Sequence, residues 1–277
     1  MIRQCLLPIL LAATVLTGWG CGPEAETGAP FKRYIARSGK YPATTSPHDT
    51  TPPGARQIAR NTGAVDVNYL TGKIDPAKRS DFESVGAPYT DKPGMFLRRE
   101  TLEAFEKMWA AAKQDGINLR IISSTRTFDQ QKAIWEGKWT RFAASAPDAR
   151  TRALKILEYS AMPGASRHHW GTDVDLNDLN NATFAPGGPL EKTYAWLQKH
   201  AAEYGFCQPY SAKSEQRPDG YNEERWHWSY LPLATPLLEH YLDIMRDDMI
   251  TGFAGAETAP SIGIVKHYAA GINQACK

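Results

Sequence analysis

Residues 166–176, reading S-R-H-H-W-G-T-D-V-D-L, limit what this chain can fold into more than any other stretch. Pro163-Gly164 just before them is turn chemistry, and Gly171 lets the loop that holds His168 bend. From Thr172 to Leu176 polar and apolar residues alternate, which is the period of a strand with one face in a core. Successive side chains of an extended chain point to opposite faces, so Val174 and Leu176 face one way and Asp173 and Asp175 the other. Carboxylates on that second face must be met by water or by a cation. Neutral imidazole plus carboxylate is the donor mixture that suits zinc. His168 and Asp175 therefore ask for at least one more protein ligand from elsewhere in the chain.

A length of 277 residues with 42% apolar and 22% charged residues fits one globular domain plus appendages. The net charge of +2 comes without a basic stripe, which argues against nucleic acid as a partner. Residues 1–20 read as an export signal: Arg3 is a short positive region, 5–16 is an apolar run too short to span a bilayer, and small residues follow. Cys21 after Gly20 is a candidate lipidation site, a lipid anchor to a membrane, although Gly18 stands where such signals carry a leucine-like residue. The alternative is simple secretion. Either way the expected location is the periplasm or cell envelope.

Export changes how the cysteines read. Cys5 leaves with the signal and Cys21 is a lipid candidate, so Cys207 and Cys276 remain as a disulfide pair in an oxidising compartment. Such a bond would close a loop of about seventy residues and contribute at most roughly 4 kcal/mol. Two unpaired, half-buried thiols are the alternative.

The domain organisation that follows is a flexible tether over 21–63, rich in Pro, Thr, Ala and Gly, a folded domain over 64–250, and a small-residue-rich extension over 251–277. Apolar spacing predicts helices over 97–115, 191–204 and 231–250, with another beginning near 125–131. Residues 119–124 read as a buried strand that turns polar at its end, a common place for site residues. The segment 138–163 reads as helix and loop with little functional signal, and a short helix is expected near 264–272. A monomer is expected.

Glu224-Arg225-Trp226-His227 supplies what the central stretch lacks. His168, Asp175 and His227 make a set of two imidazoles and one carboxylate, which leaves the fourth tetrahedral position for water. Glu224, three residues before the last ligand, can reach that water, and a positioned carboxylate adds roughly 10²–10⁴-fold by moving its proton. In a flat strand Glu224 and His227 would point to opposite faces, so the chain must bend at Arg225-Trp226.

Three motifs in order, S-x-x-R-x-x-x-x-Q (Ser123, Arg126, Gln131), S-x-H-x-x-G-x-x-x-D (Ser166, His168, Gly171, Asp175) and E-x-W-H (Glu224, Trp226, His227), resemble those of the zinc D-alanyl-D-alanine carboxypeptidases of the VanY type. The likeness spans roughly 97–230. It implies a single α+β domain with a mainly antiparallel sheet and flanking helices, Zn2+ on His168, Asp175 and His227, and Glu224 as base. It also implies that Arg126 steadies charge on the scissile carbonyl oxygen, with Ser166 and Gln131 contacting a peptidoglycan stem peptide. The sequence departs from the family at Asp173, where a small residue is usual. Asp173 then either hydrogen-bonds a ligand histidine, competes for the metal, or is a solvated strand carboxylate.

His169 reads as structural, Ser123 as a strand-end hydrogen bonder, and Trp170, Trp226 and Trp228 as core or pocket walls. Three functions stay open: a carboxypeptidase, an endopeptidase cutting stem peptides or cross-links with the same metal set, and a zinc-bearing wall-binding module without activity. The first two differ in pocket shape beyond Ser166 and Tyr210.

Overall fold

The computed structural model describes residues 65–277. The export signal, the tether and Cys21 lie outside the described residues. No described helix is long and apolar enough to cross a membrane.

Strands β1 (Phe82–Val85) and β2 (Met95–Arg98) form a two-stranded antiparallel sheet. Helix α1 (Arg99–Gln114) follows β2 directly. The predicted helix start at Leu97 is therefore two residues early. Leu97 and Arg98 pair with Glu83 and Phe82 instead, a partner that helical spacing cannot reveal. Leu102, Phe105, Met108 and Ala112 recur at intervals of three and four residues and form the buried stripe of α1. Gly116, at φ +74°, ends it.

Four short antiparallel strands, β3 (Ile121–Ser123), β4 (Asp173–Leu176), β5 (Phe206–Cys207) and β6 (His227–Tyr230), make the second sheet in the order β3-β4-β6-β5. Between them run α2 (Phe128–Arg141), α3 (Ala149–Ile156) and α4 (Glu191–His200). A 3-10 turn over Ala201–Tyr204 extends α4 to Gly205. Two antiparallel sheets with helices beside them give the expected α+β class.

The alternation in β4 sorts its side chains. Val174 and Leu176 are fully buried in a core shared with Phe105, Met108, Leu197 and Trp228. On the opposite face, Asp173 and Asp175 are buried as well, the first completely. A half-solvated strand is thus excluded.

Helix α5 (Leu231–Ile244) is shorter than the predicted 231–250, because the chain turns extended at Met245, whose side chain joins Tyr241 and Ile250 in a second core. That second core also takes in Trp135, Trp170 and the tail residues Phe253, Ile262, Ile264 and Ile272, so 251–277 packs onto the domain. The short helix expected near 264–272 is present as a π-helix, Val265–Ala269. Cys207 and Cys276 are joined by a disulfide across 69 residues of sequence.

Candidate active site

The register of the second sheet brings the chemistry together. Asp175 lies directly opposite His227 on one side and Ser123 on the other. His168 enters from a one-turn 3-10 helix, Arg167–Trp170, rather than from an open loop. Gly171 ends that turn at φ +76°, and a Cβ there would sit 2.5 Å from the Phe82 ring, so only glycine fits. One ligand atom each from His168, Asp175 and His227 falls within a 4.8 Å cluster.

Hydrogen bonds decide which ring nitrogen each histidine offers. His168 Nδ1 donates to the Ser124 carbonyl at 2.8 Å. That leaves Nε2 with its lone pair, buried, without a hydrogen-bond partner, and 3.3 Å from Asp175 Oδ1, itself unpartnered. His227 Nε2 donates to Asp173 Oδ1 at 2.9 Å, so Nδ1 faces Glu224 Oε2 at 3.1 Å and Asp175 Oδ1 at 3.4 Å. Burial alone would push His227 down, yet the bonds to Asp173 and Glu224 and the Asp175 charge raise it to about 9. Three carboxylates around one ring call for a cation, either a proton or a metal that displaces it. The two orphaned donor atoms and the His, Asp, His set fit a divalent metal.

Asp173 is held from three sides. Arg167 Nε donates at 3.0 Å, Thr172 Oγ1 at 2.5 Å, and His227 as above. Burial would raise its pKa, but the Arg167 charge and the His227 bond win and hold it far below the ordinary range. Its oxygens are committed to this network behind His227. Asp173 therefore neither meets solvent nor belongs to the ligand cluster.

Glu224 reaches the same point through the bend that its spacing required. Arg225 and Trp226 form a turn, and the His227 amide donates to the Glu224 carbonyl at 3.3 Å. The Glu224 amide donates to Tyr210 O, and Gln208 Nε2 donates to Glu224 O. Burial pushes its carboxyl above the usual range, against the bond to His227.

Arg126 is clamped through its backbone. Its amide donates to His168 O at 2.9 Å, and its carbonyl accepts from His169 Nδ1 at 2.7 Å. His169 Nε2 in turn accepts from the Gly164 amide, and burial lowers this ring to about 3, so it stays neutral and structural. The Arg126 guanidinium points past Ser123 Oγ (3.4 Å) toward Asp175 Oδ2 (3.9 Å), with a buried, unpartnered Nε.

These groups line a cleft of about 620 Å³. Ser166, Gln131 and Tyr210 lie behind it in a narrow recess of about 40 Å³ that also touches His168 and Glu224. Gln131 donates to Ala161 O and keeps a buried, unpartnered Oε1, while the Tyr210 ring packs edge-on against His227 at 4.8 Å. The outer walls come from Ile134, Lys138, Tyr159, Leu179, Asn181 and Trp226. Sequence reasoning passed over all of these except Trp226. Segment 138–163, read as carrying little functional signal, supplies Lys138, Tyr159 and Ser160. The one available signal was the lone apolar Leu179 in a run of Asn and Asp.

Similarity to known proteins follows the same stretch. The VanY family model, described as D-alanyl-D-alanine carboxypeptidase, matches residues 94–233. YodJ of Bacillus subtilis (strain 168) is 30% identical over 142 residues, covering 49% of this chain and 46% of that protein. A D-alanyl-D-alanine carboxypeptidase of Enterococcus faecalis (strain ATCC 700802 / V583) is 26% identical over 146 residues, covering 50% and 52%. The chain thus spans about half the length of the curated relatives it matches. Among solved structures, VanYB in complex with D-alanine-D-alanine aligns with a TM-score of 0.44 and 24% identity, over 59% of this chain and 90% of that one. Because the matched segment is just over half of the chain and contains every member of the donor cluster together with Glu224 and Arg126, the chain belongs to the VanY D-alanyl-D-alanine carboxypeptidase family.

Proposed function

We propose that this protein is a zinc-dependent carboxypeptidase that removes the terminal D-alanine from peptidoglycan stem peptides outside the cytoplasm. The observation that carries this reading is the convergence of His168, Asp175 and His227 within 4.8 Å, with the Glu224 carboxylate 3.1 Å from one of them.

His168 Nε2, an Asp175 oxygen and His227 Nδ1 would hold the metal. Zinc bound there supplies a Lewis acid and lowers the pKa of a coordinated water from 15.7 to about 7. Glu224 takes a proton from the attacking water on a carboxylate oxygen. Burial makes that carboxylate a stronger base than an exposed glutamate, nearer to the working pH. As the C–N bond to the last residue breaks, Glu224 hands the proton to the departing amine, and the water oxygen becomes part of the new carboxylate. Arg126 faces the developing charge on the carbonyl oxygen from the Asp175 side, a contribution typically of about 3 kcal/mol for one such donor.

Replacing Glu224 with Gln keeps the shape and removes the base. D-alanine release from a pentapeptide is expected to fall by roughly 10²–10⁴-fold while bound zinc stays at one equivalent. Near-normal release by the zinc-loaded variant would overturn the mechanism. Mass spectrometry of muropeptide products from the unmodified protein separates removal of one D-alanine from an internal cut.

Location outside the cytoplasm is supported by the apolar run at 5–16 and by the Cys207–Cys276 disulfide, which suits an oxidising compartment. Attachment through a lipid on Cys21 is part of the same proposal, and the intact mass of the purified envelope form tests it.

A further inference from the structure

Within that reading of function, we propose that Lys138 is a specificity-determining residue that anchors a carboxylate of the peptide substrate in the outer half of the cleft.

Gln131, Trp135 and Lys138 fall on one face of α2 by helical spacing, and the first two are buried, which turns Lys138 inward to the cleft wall. There its ammonium donates to Ser160 Oγ at 2.5 Å. Among the described residues no carboxylate lies within ion-pair distance of it, although an ammonium carries three donors. Arg126, across the same cleft, likewise keeps an unpartnered Nε. A half-buried cation with no carboxylate in contact, and only the Glu224 charge acting on it from a distance, is held at a cost that an anion arriving with the ligand would relieve.

The charge balance points the same way. Arg126 and Lys138 offset Asp175 and Glu224, and a divalent ion taking the place of the proton on His227 would leave the cleft with positive charge in excess. The rest of the wall combines Ser160, Asn180 and Asn181 with an apolar, aromatic part. Ile134, Tyr159 and Leu179 are three of the five large hydrophobic residues exposed among those described, and all three lie on this cleft. The Tyr159 ring tilts over Trp226 at 6.3 Å. A cation set in an apolar, aromatic-walled trough matches a ligand with an alkyl body and a carboxylate. A peptide can bring that carboxylate from its C-terminus or from an acidic side chain upstream of the scissile bond.

The test uses the zinc-loaded full chain and two pentapeptides ending in D-alanyl-D-alanine, one with a free side-chain carboxylate at its third residue and one with that group amidated. In Lys138→Gln the loss is expected in KM, about tenfold or more, as for one charge-assisted hydrogen bond, with recovery in Lys138→Arg. Peptide Kd measured in a Glu224→Gln background should move with KM. An equal penalty for both peptides assigns the terminal carboxylate, and a penalty confined to the free acid assigns the side chain. Unchanged KM and Kd for both peptides in a variant that still releases D-alanine would overturn the role of Lys138 alone. If no D-alanine is released but Kd still rises on substitution, the carboxypeptidase reading falls and the anchor stands. A protein that neither binds nor cleaves either peptide sinks both.

Discussion

Asp173 and Asp175 share one face of β4 and differ by two residues, yet their neighbours give them different work. Asp175 leaves an oxygen unpartnered among the histidines, whereas Asp173 is saturated by Arg167, Thr172 and His227. Its bond to Nε2 selects the tautomer in which His227 presents Nδ1 to the cluster. Replacing Asp173 with Asn keeps the volume but removes the charge and offers a weaker acceptor. Metal affinity, measured by chelator competition, is expected to fall by about 10–100-fold. An unchanged affinity would show that His227 needs no such partner. The donor residues themselves were legible, because imidazoles and carboxylates at those spacings have few other uses. For Asp173 the observed bond to a histidine of the cluster was one of three readings left open, since alternation assigns a face but cannot say that Arg167, six residues upstream, fills it. Lys138 was hidden for a related reason: a lysine on an ordinary helix carries no sign of which way it points.

At the scale of elements, α2 is where local sequence and the site depend on each other most directly. Thr127 Oγ1 accepts from the Gln130 amide at 3.2 Å, and the Gln130 side chain accepts from the Thr127 amide at 2.8 Å, a reciprocal cap that starts the helix two residues after Arg126. Thr127→Ala should lower stability by about 1 kcal/mol in urea unfolding, with no change in the slope of the transition. A loss within error would mean that packing of Gln131 and Trp135 alone fixes the helix. Helical periodicity located α1 and α4 because each has a buried stripe of its own, whereas α2 buries only Gln131 and Trp135. It misplaced the start of α1 and the end of α5, where the boundary is set by contacts from distant residues: the β1 partner of Leu97, and the second core that receives Met245. The turn at Arg225-Trp226 was legible for a different reason, since two side chains of opposite parity had to meet.

For the molecule as a whole, two apolar cores carry the described residues and the tail completes one of them. Composition suggested an appendage after residue 250. Small residues such as Ala256, Ala259 and Ala269 are instead what lets the tail pack closely against Trp135 and Tyr241. Cys276→Ser should therefore cost about 2–4 kcal/mol in denaturant unfolding under oxidising conditions. An unaltered midpoint would show that burial of the tail suffices without the bond.

That bond lies one residue before Gln208, whose side chain donates to the carbonyls of both Tyr210 and Glu224, and the Asn273 amide close by donates to Pro209. The strap beside Glu224 is thus fastened from the far end of the domain, by chemistry that proceeds only among oxidants. A copy kept among reduced thiols would carry all its donor side chains and still lack the buckle over them. Completion of the segment beside Glu224 is in this way tied to the redox character of the compartment in which the chain folds.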